Sequence, residues 1–219
     1  MKKYKIIYDD QDLLVVCKFA GLAVQSARVS TPDLMSLLRN EMLERGEKKP
    51  YLGLVNRLDQ PVEGIVLIGK NEKAAADLSR QLMDHIHMEK WYQTVVCGKP
   101  EQREDTLVDY LLKDSRTNTS KVVKEGTPGS KRSELHYEVL ASDGENTLLR
   151  IRLLTGRHHQ IRVQLANAGI PIVGDAKYNF KETMTRSGNG LLLCSYKIGF
   201  KHPKTHKKME FEIRNPFLI

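Results

Sequence analysis

One stretch of this sequence puts an arginine and an aspartate where they could do chemistry. Residues 56–64 read NRLDQPVEG and lead directly into the apolar run 65–68. Residues two apart in an extended segment project to the same side, so Arg57 and Asp59 should share one face. The proline and glycine that follow interrupt regular strand pairing beside the aspartate. This arrangement is one way to hold a carboxylate at the floor of a cleft, but on this stretch alone a surface ion pair that contributes little stability is the simpler interpretation.

Two later segments supply further polar candidates. In EKWYQTVVCG, strand alternation puts Tyr92 on the opposite side from Trp91, so Tyr92 need not belong to the core. In TGRHHQIRVQ, Arg157 and Arg162 are five residues apart around the start of a predicted helix, where unpaired amides suit anions. Arg162 stands between two apolar residues, and a partly buried guanidinium needs a carboxylate partner. The alternative for Arg162 is a solvated helix face.

Several kinds of chemistry find no support in the sequence. It contains neither GxxxxGK[ST] nor GxGxxG, so no phosphate-binding loop of the usual kind is predicted. The histidines occur without a third ligand at a suitable spacing, so we predict no metal site. No serine or cysteine stands in a recognisable nucleophile setting beside a histidine.

The cysteines and the apolar pattern indicate a compartment. Cys17, Cys97 and Cys194 are far apart and show no CxxC spacing, which favours a reducing environment over a disulfide framework or a zinc site. The N-terminus becomes acidic before any long apolar region forms, and no stretch approaches 18 apolar residues. We therefore expect a cytoplasmic protein without a signal peptide or membrane span.

The charge balance points to a polyanionic partner. The chain has 35 Lys+Arg against 27 Asp+Glu, a formal charge of +8 and a pI near 9.3. RNA or DNA is the expected partner, although a soluble protein can also simply be basic. The basic residues that we expect to contact RNA include Lys121, Lys124, Lys131, Arg132 and the loop KHPKTHKK, with ordinary solvated lysines as the alternative.

The first third of the chain predicts a hairpin, a helix, a strand and a second helix. Residues 4–18 form two short strands around the polar turn DDQD. A helix follows at about 32–45, with Thr31 as its N-cap and a proline at its first position. A strand occupies 65–69. Asn71 then caps a second helix, whose apolar face is Ala75, Leu78, Leu82 and Ile86.

The rest of the chain adds mainly strands. We expect a strand around 89–98, a short helix at 105–113, and a loop at 114–132 that is the best candidate for a subdomain boundary. Two strands, 133–141 and 146–154, make a second hairpin around a turn containing Asp-Gly. A helix begins after TGR and stops at Gly169. Two strands end the chain. The order predicts one α+β domain over 1–219 with a largely antiparallel sheet.

At this point the motifs resemble a known family. NRLDQPVEG is similar to the HRLD motif of the RluA-like pseudouridine synthases, and TGRHHQIRVQLANAGIPIVGDAKY is similar to their block TGR-x-HQIR-x-HLA...G-x-P-I-x-GD-x-x-Y. KFAGLAVQS resembles their KPAGL segment, EKWYQTVVCG their K-x-Y-x-A-x-V-x-G strand, and FKHPKT their F-x-HP-x-T ending. The five blocks occur in the family's order from about residue 5 to residue 214.

The resemblance implies isomerisation of uridine to pseudouridine in ribosomal or transfer RNA, without a metal or an organic cofactor. It implies a mixed central sheet, flanked by helices, with an active-site cleft across it. Asp59 matches the catalytic aspartate, Tyr92 the tyrosine that stacks on the target base, and Arg162 the arginine that pairs with the aspartate. Arg57 matches an arginine that contacts RNA. We expect further RNA contacts from Arg157, His159, Gln160, Lys131 and Arg132.

The chain departs from the family pattern at several positions. Asn56 replaces the usual histidine, Val62 and Glu63 stand where Thr and Ser are common, and Cys194 begins a Cys-Ser pair in place of a frequent His-Ala pair. We also expect the catalytic domain to open at the N-terminal hairpin, without the small S4-type RNA-binding module that many members of the family carry.

Two other functional hypotheses remain open. One is a catalytically inactive RNA-binding or RNA-folding protein with the same fold, and a weaker one is a DNA-binding protein. The presence of Asp59, Tyr92 and Arg162 favours the enzyme. No helix-turn-helix pattern with a basic recognition face supports the DNA hypothesis. No coiled-coil pattern is found, and we expect a monomer.

Overall fold

The fold was analysed in a computed structural model of the chain. It describes residues 2–26, 31–84, 86–179, 190–214 and 217. The chain divides into two compact units. The first contains Met1–Glu89 and Ser195–Arg214, and the second contains Lys90–Cys194 and Asn215–Ile219. The segment 114–132, where the sequence suggests a boundary, lies inside the second unit.

The first unit is a layer of antiparallel strands with two helices. Its strands are β1 (Tyr4–Asp9), β2 (Leu13–Lys18), β3 (Gly53–Leu54), β4 (Glu63–Gly69), most of β10 (Leu193–Lys201) and β11 (Lys208–Glu212), and its helices are α1 (Leu34–Glu44) and α2 (Glu72–Asp84). The strand order is β1-β2-β4-β10, with β3 pairing to β4 and β11 to β10. Its core is a buried cluster of Leu13, Val15, Val55, Ile65, Leu67, Leu78, Met88, Ile198 and Phe200.

The second unit is an antiparallel sheet with one helix. Its elements are most of β5 (Glu89–Cys97), then β6 (Glu104–Asp114), β7 (Thr119–Val123), β8 (Lys131–Ser142), β9 (Asn146–Leu153) and α3 (Gln160–Asn167). The strand order is β5-β9-β8-β6-β7. Fully buried apolar side chains in this unit include Leu135, Leu149, Ile151 and Leu165. The predicted α+β class with a largely antiparallel sheet is confirmed.

Helix ends follow the polar residues that flank them. The Asn71 cap is confirmed, because its Oδ1 accepts a hydrogen bond from the Ala74 amide at 2.9 Å. The cap of α1 is Asp33 and not Thr31: its carboxylate accepts from the Ser36 amide at 2.8 Å, and Ser36 Oγ accepts from the Asp33 amide at 3.0 Å. Ile86, expected on the apolar face of the second helix, lies beyond its end and is 78% exposed.

The predicted helix at 105–113 is wrong. These residues belong to β6, which pairs with β8 on one side and with β7 on the other. The segment 114–132 was predicted as a loop, yet it contains β7. The loop was predicted because the segment is rich in Ser, Thr, Lys and Gly. Thr119, Val122 and Val123 are nevertheless β-branched and suit a strand. Pairing to neighbouring strands outweighs the local composition here.

Candidate active site

The segment that carries Asp59 is fixed at its start by a buried amide. Asn56 donates from Nδ2 to the Ile65 carbonyl at 3.1 Å and accepts at Oδ1 from the Leu67 amide at 2.7 Å. The Asn56 side chain therefore makes two hydrogen bonds to the backbone of β4, one as a donor and one as an acceptor. A histidine, the family's usual residue, can also present one donor and one acceptor. The departure at Asn56 therefore preserves an anchoring function.

A tight turn follows, and Lys18 supports it. The Val62 amide donates to the Asp59 carbonyl at 3.0 Å. The Gln60 carbonyl accepts from the Gly21 amide at 2.9 Å and from Lys18 Nζ at 3.2 Å. Lys18 is fully buried and also donates to the Phe19 carbonyl at 3.2 Å. Burial lowers the pKa of Lys18 to about 8, while the negative charges of Asp59 and Glu63 oppose this shift.

Side chains along the RLD motif alternate between the exposed and the buried side of the chain, as predicted. Arg57 is exposed, Leu58 is buried, and Asp59 is half-buried. Arg57 forms no ion pair within the described part of the chain, so a surface ion pair with Asp59 does not explain the motif. The exposed guanidinium is available to a ligand.

Gly64 ends this segment in a conformation that only glycine tolerates well. Its φ is +140°, and a Cβ there would overlap the backbone carbonyl of Ser195 in β10. We expect Gly64→Ala to lower the free energy of unfolding by about 2 kcal/mol or more, because it adds strain and a backbone clash. Urea denaturation measures the loss.

Gly46→Ala is the matched control for this prediction. Gly46 also has a positive φ, of +93°, but its added Cβ would meet nothing within 4 Å. If both variants lower the free energy of unfolding equally, the clash with Ser195 does not contribute to the cost at Gly64.

Tyr92 lies on β5, opposite Ile151 of β9. It is 7% exposed, so it is a buried residue and not the surface residue that alternation allowed. Trp91, on the other side of the strand, is half-buried, with the guanidinium groups of Arg150 and Arg152 5.8 and 5.7 Å from its ring centre.

Arg162 has a buried carboxylate partner that the sequence did not identify. Its Nε and Nη2 donate to the two carboxylate oxygens of Asp175 at 2.8 and 2.7 Å. The side chains are 5% and 0% exposed, and the guanidinium lies 5.2 Å from the ring centre of Tyr178. Asp175 also accepts from the amides of Lys177 and Tyr178. This fork holds the arginine in one orientation. Pairing of Arg162 with Asp59, which belongs to the other unit, stays a prediction.

The segment before α3 is braced by its own side chains. Gln160 Oε1 accepts from Thr155 Oγ1 at 2.8 Å and from the Arg157 amide at 2.9 Å, and Gln160 Nε2 donates to the Glu134 carbonyl at 3.0 Å. His159 is buried with a φ of +54°, and its Nδ1 lies 2.8 Å from the Tyr178 hydroxyl. Both side chains hold the loop, and their expected contacts with RNA stay predictions.

Three further basic candidates, Lys131, Arg132 and Arg157, belong to the second unit. Lys131 and Arg132 are exposed at the start of β8. Arg132 pairs with Glu134 at 2.5 Å, and its carbonyl accepts from Arg157 Nε at 3.1 Å. The structure thus brings Arg132 and Arg157 together.

One group of potential metal ligands occurs among the described residues. Ligand atoms of Asp10, Asp12 and His202 lie within 4.8 Å of one another. His202 Nδ1 accepts from the amides of Lys204 and Thr205, so the ring proton must be on Nε2, which donates to Asp10 at 2.9 Å. A metal needs a free nitrogen lone pair, which this tautomer does not offer.

The same hydrogen bonds give this cluster a structural role. Burial alone would raise the pKa of Asp10, but donors from Asp12, Tyr8, Leu13 and His202 lower it to about 2. His202, within the block FKHPKT, therefore fastens the loop after β10 to the turn after β1.

Comparison with known proteins identifies the class of enzyme. The family model described as RNA pseudouridylate synthase matches residues 12–167, which include Asp59, Tyr92 and Arg162. The chain belongs to this family of RNA-modifying isomerases.

Curated relatives agree with the family assignment. An uncharacterized RNA pseudouridine synthase of Bacillus subtilis is 33% identical over 219 residues, covering 96% of this chain and 69% of the relative. Ribosomal large subunit pseudouridine synthase C of Salmonella typhimurium is 33% identical over 213 residues, covering 94% of this chain and 65% of the relative. The chain thus spans about two thirds of these relatives' lengths.

Solved structures support the fold. Human RNA pseudouridylate synthase domain containing 4 superposes with a TM-score of 0.79 at 19% identity, covering 96% of this chain and 88% of that one. Human RNA pseudouridylate synthase domain containing 1 has the same TM-score at 23% identity, covering 98% and 84%. At these identities the likeness concerns the fold alone.

Sequence reasoning missed two residues that shape the site. Lys18 and Asp175 both fall within blocks of the resemblance, as the lysine of KFAGL and the acid of GDAKY. Each is polar and almost completely buried, at 0% and 1% exposure. Burial of a charged residue was the missing signal, and it depends on the tertiary fold.

Proposed function

We propose that this chain converts uridine to pseudouridine in ribosomal RNA, with Asp59 as the catalytic carboxylate. The observation that carries the proposal is the position of Asp59 on a turn anchored by Asn56 and Lys18, within the residues matched by the family model. Four curated relatives carry the name of a large-subunit ribosomal enzyme, which supports ribosomal RNA as the substrate.

The reaction balances without a redox group. The bond between N1 and C1′ breaks, the base turns, and a bond forms between C5 and C1′. A proton leaves C5 and N1 gains one, so substrate and product are isomers. Attack by a carboxylate on C1′ or on C6 of the base starts either route, and both need the carboxylate in nearly the same place.

The target nucleotide must leave its stack before it can react. Extrusion costs a few kcal/mol, and aromatic stacking recovers about 1–3 kcal/mol per base. Tyr92 is our candidate for that stack. Arg162, already oriented by Asp175, is the candidate to keep Asp59 ionised, and the exposed Arg57 is the candidate to contact the neighbouring RNA.

The protein fits a reducing compartment. None of the three cysteines takes part in a disulfide. No described helix has the length and apolar character needed to cross a membrane. We infer a monomeric cytoplasmic enzyme whose two units make up one catalytic domain over 1–219.

RNA affinity should depend strongly on salt. The exposed residues Lys121, Lys124, Lys131 and Arg132 belong to one unit, and each phosphate that they neutralise releases counterions. Three or more such contacts predict a loss of about tenfold or more between about 50 and about 200 mM KCl. Filter binding of transcribed large-subunit RNA measures this dependence. A flat response would contradict the proposed RNA surface.

Incubation of the purified chain with unmodified transcribed ribosomal RNA tests the activity. Chemical mapping should detect pseudouridine at one or a few sites. Tight binding of the RNA without any pseudouridine would favour the RNA-binding hypothesis.

A further inference from the structure

A buried lysine and a neighbouring arginine in the second unit lack an acidic partner. Lys90, on β5, is 5% exposed. A Cβ on Gly156 would lie 3.7 Å from Lys90 Nζ, so the ammonium lies against the backbone next to Arg157. The charge of Arg157 acts directly on Lys90.

Lys90 differs from the other buried lysine of the chain. Lys18 donates to two carbonyl groups and has the charges of Asp59 and Glu63 nearby. Among the described residues, no hydrogen-bond acceptor or carboxylate is found for the Lys90 ammonium. Burial, together with the charge of Arg157, lowers the pKa of Lys90 to about 8, so the group is still mainly charged at pH 7.

An arrangement of this kind is unfavourable without a ligand. The Lys90 side chain is largely buried, although its ammonium nitrogen still touches solvent. Partial loss of water and a nearby second cation both raise the cost of the charge. Arg157 does not relieve the repulsion: it is half-buried, and only its Nε has an acceptor, the Arg132 carbonyl at 3.1 Å. Its terminal amines are therefore available to an outside anion.

The donors of these two residues suit a phosphate group. Arginine can grip phosphate with two parallel hydrogen bonds, and lysine adds a compact point charge. Gly156, which precedes Arg157 and lies near the Lys90 ammonium, is exposed and has no side chain to block access.

We propose that Lys90 and Arg157 form a phosphate-binding site that holds a phosphodiester of the RNA. The RNA assignment rests on the proposed function, whereas the anion site follows from the two cations alone. Lys90 thereby becomes a binding residue, in a position that costs stability when no anion is bound.

Thermal melting with inorganic phosphate tests the anion site independently of RNA. Wild type should gain melting temperature saturably over about 0–10 mM phosphate at constant ionic strength, as expected of a ligand that binds only the folded state. Lys90→Met should melt higher than wild type in chloride and lose the phosphate response. Lys99→Met, an exposed lysine of the same unit, should behave as wild type.

A second variant shows whether a lost phosphate response comes from the anion site or from a packing defect caused by Lys90→Met. Arg157→Gln changes a half-buried side chain and should also abolish the phosphate response. The site is contradicted if Lys90→Met and Arg157→Gln both keep the wild-type response to phosphate.

RNA binding distinguishes the source of the phosphate. Lys90→Met should weaken binding of transcribed large-subunit RNA about tenfold and reduce the salt slope by about 1, while Lys99→Met changes neither. If Lys90→Met loses the phosphate response but keeps the wild-type RNA affinity and the wild-type salt dependence of binding, the RNA assignment is overturned. If wild type responds to phosphate but forms no pseudouridine in this RNA, the proposed function fails and the anion site stands.

Discussion

Asp59→Asn should reduce the rate of pseudouridine formation by at least about 10³-fold while the protein stays folded and still binds RNA. An amide has the size of the carboxylate but is a poor nucleophile. The turn should survive, because the Asp59 main-chain carbonyl accepts the hydrogen bond that closes it. Single-turnover assays with saturating enzyme measure the chemical step without interference from product release.

Glu63→Gln provides the matched control, since it removes the other carboxylate of the same segment. We expect its rate to stay within about tenfold of wild type, because Glu63 begins β4 and has no assigned part in the reaction. Equal losses in the two variants would mean that negative charge near the turn matters and that Asp59 has no special role.

Asp175→Asn should destabilise the protein by about 3–5 kcal/mol, because it leaves the buried Arg162 guanidinium without its counter-charge. Urea unfolding at pH 7 measures the loss. Activity should fall in parallel, since the fork from Asp175 orients the arginine proposed to act with Asp59.

Two further variants separate charge from packing. Arg162→Met combined with Asp175→Asn should recover part of the stability, because no buried charge remains unpaired. Glu138→Gln breaks the pair between Arg150 and Glu138, whose side chains are 40% and 42% exposed, and should cost under about 1 kcal/mol. A cost from Asp175→Asn as small as that from Glu138→Gln would contradict the structural role of the buried pair.

Periodic segments with polar caps were predictable from sequence. The helix after Asn71 has four apolar residues at helical spacing and a cap that the structure confirms. Residues 105–113 failed because pairing with β8 and β7 fixes this strand, whereas its side chains are mostly exposed or half-buried and only Leu111 is buried. Tertiary pairing decided that element.

The site was predictable only in part, for a related reason. Arg57 and Asp59 stand in a motif with a proline and a glycine, so their spacing alone drew attention. Asp175 and Lys90 gave no comparable signal, because their roles depend on burial in the folded protein. Asp175 is paired with Arg162, whereas Lys90 has no acidic partner among the described residues. Within the polar run 180–190, which precedes the strand LLLCSYKIGF, residues 180–189 lie outside the described residues.

Pseudouridine mapping of total RNA from the source cells tests the central claim most directly. The cells to compare have the gene intact, deleted, or restored as wild type or as Asp59→Asn. We predict that one or a few ribosomal pseudouridines vanish on deletion and return only with the wild-type gene. An unchanged map in every strain, or full restoration by Asp59→Asn, would contradict the account.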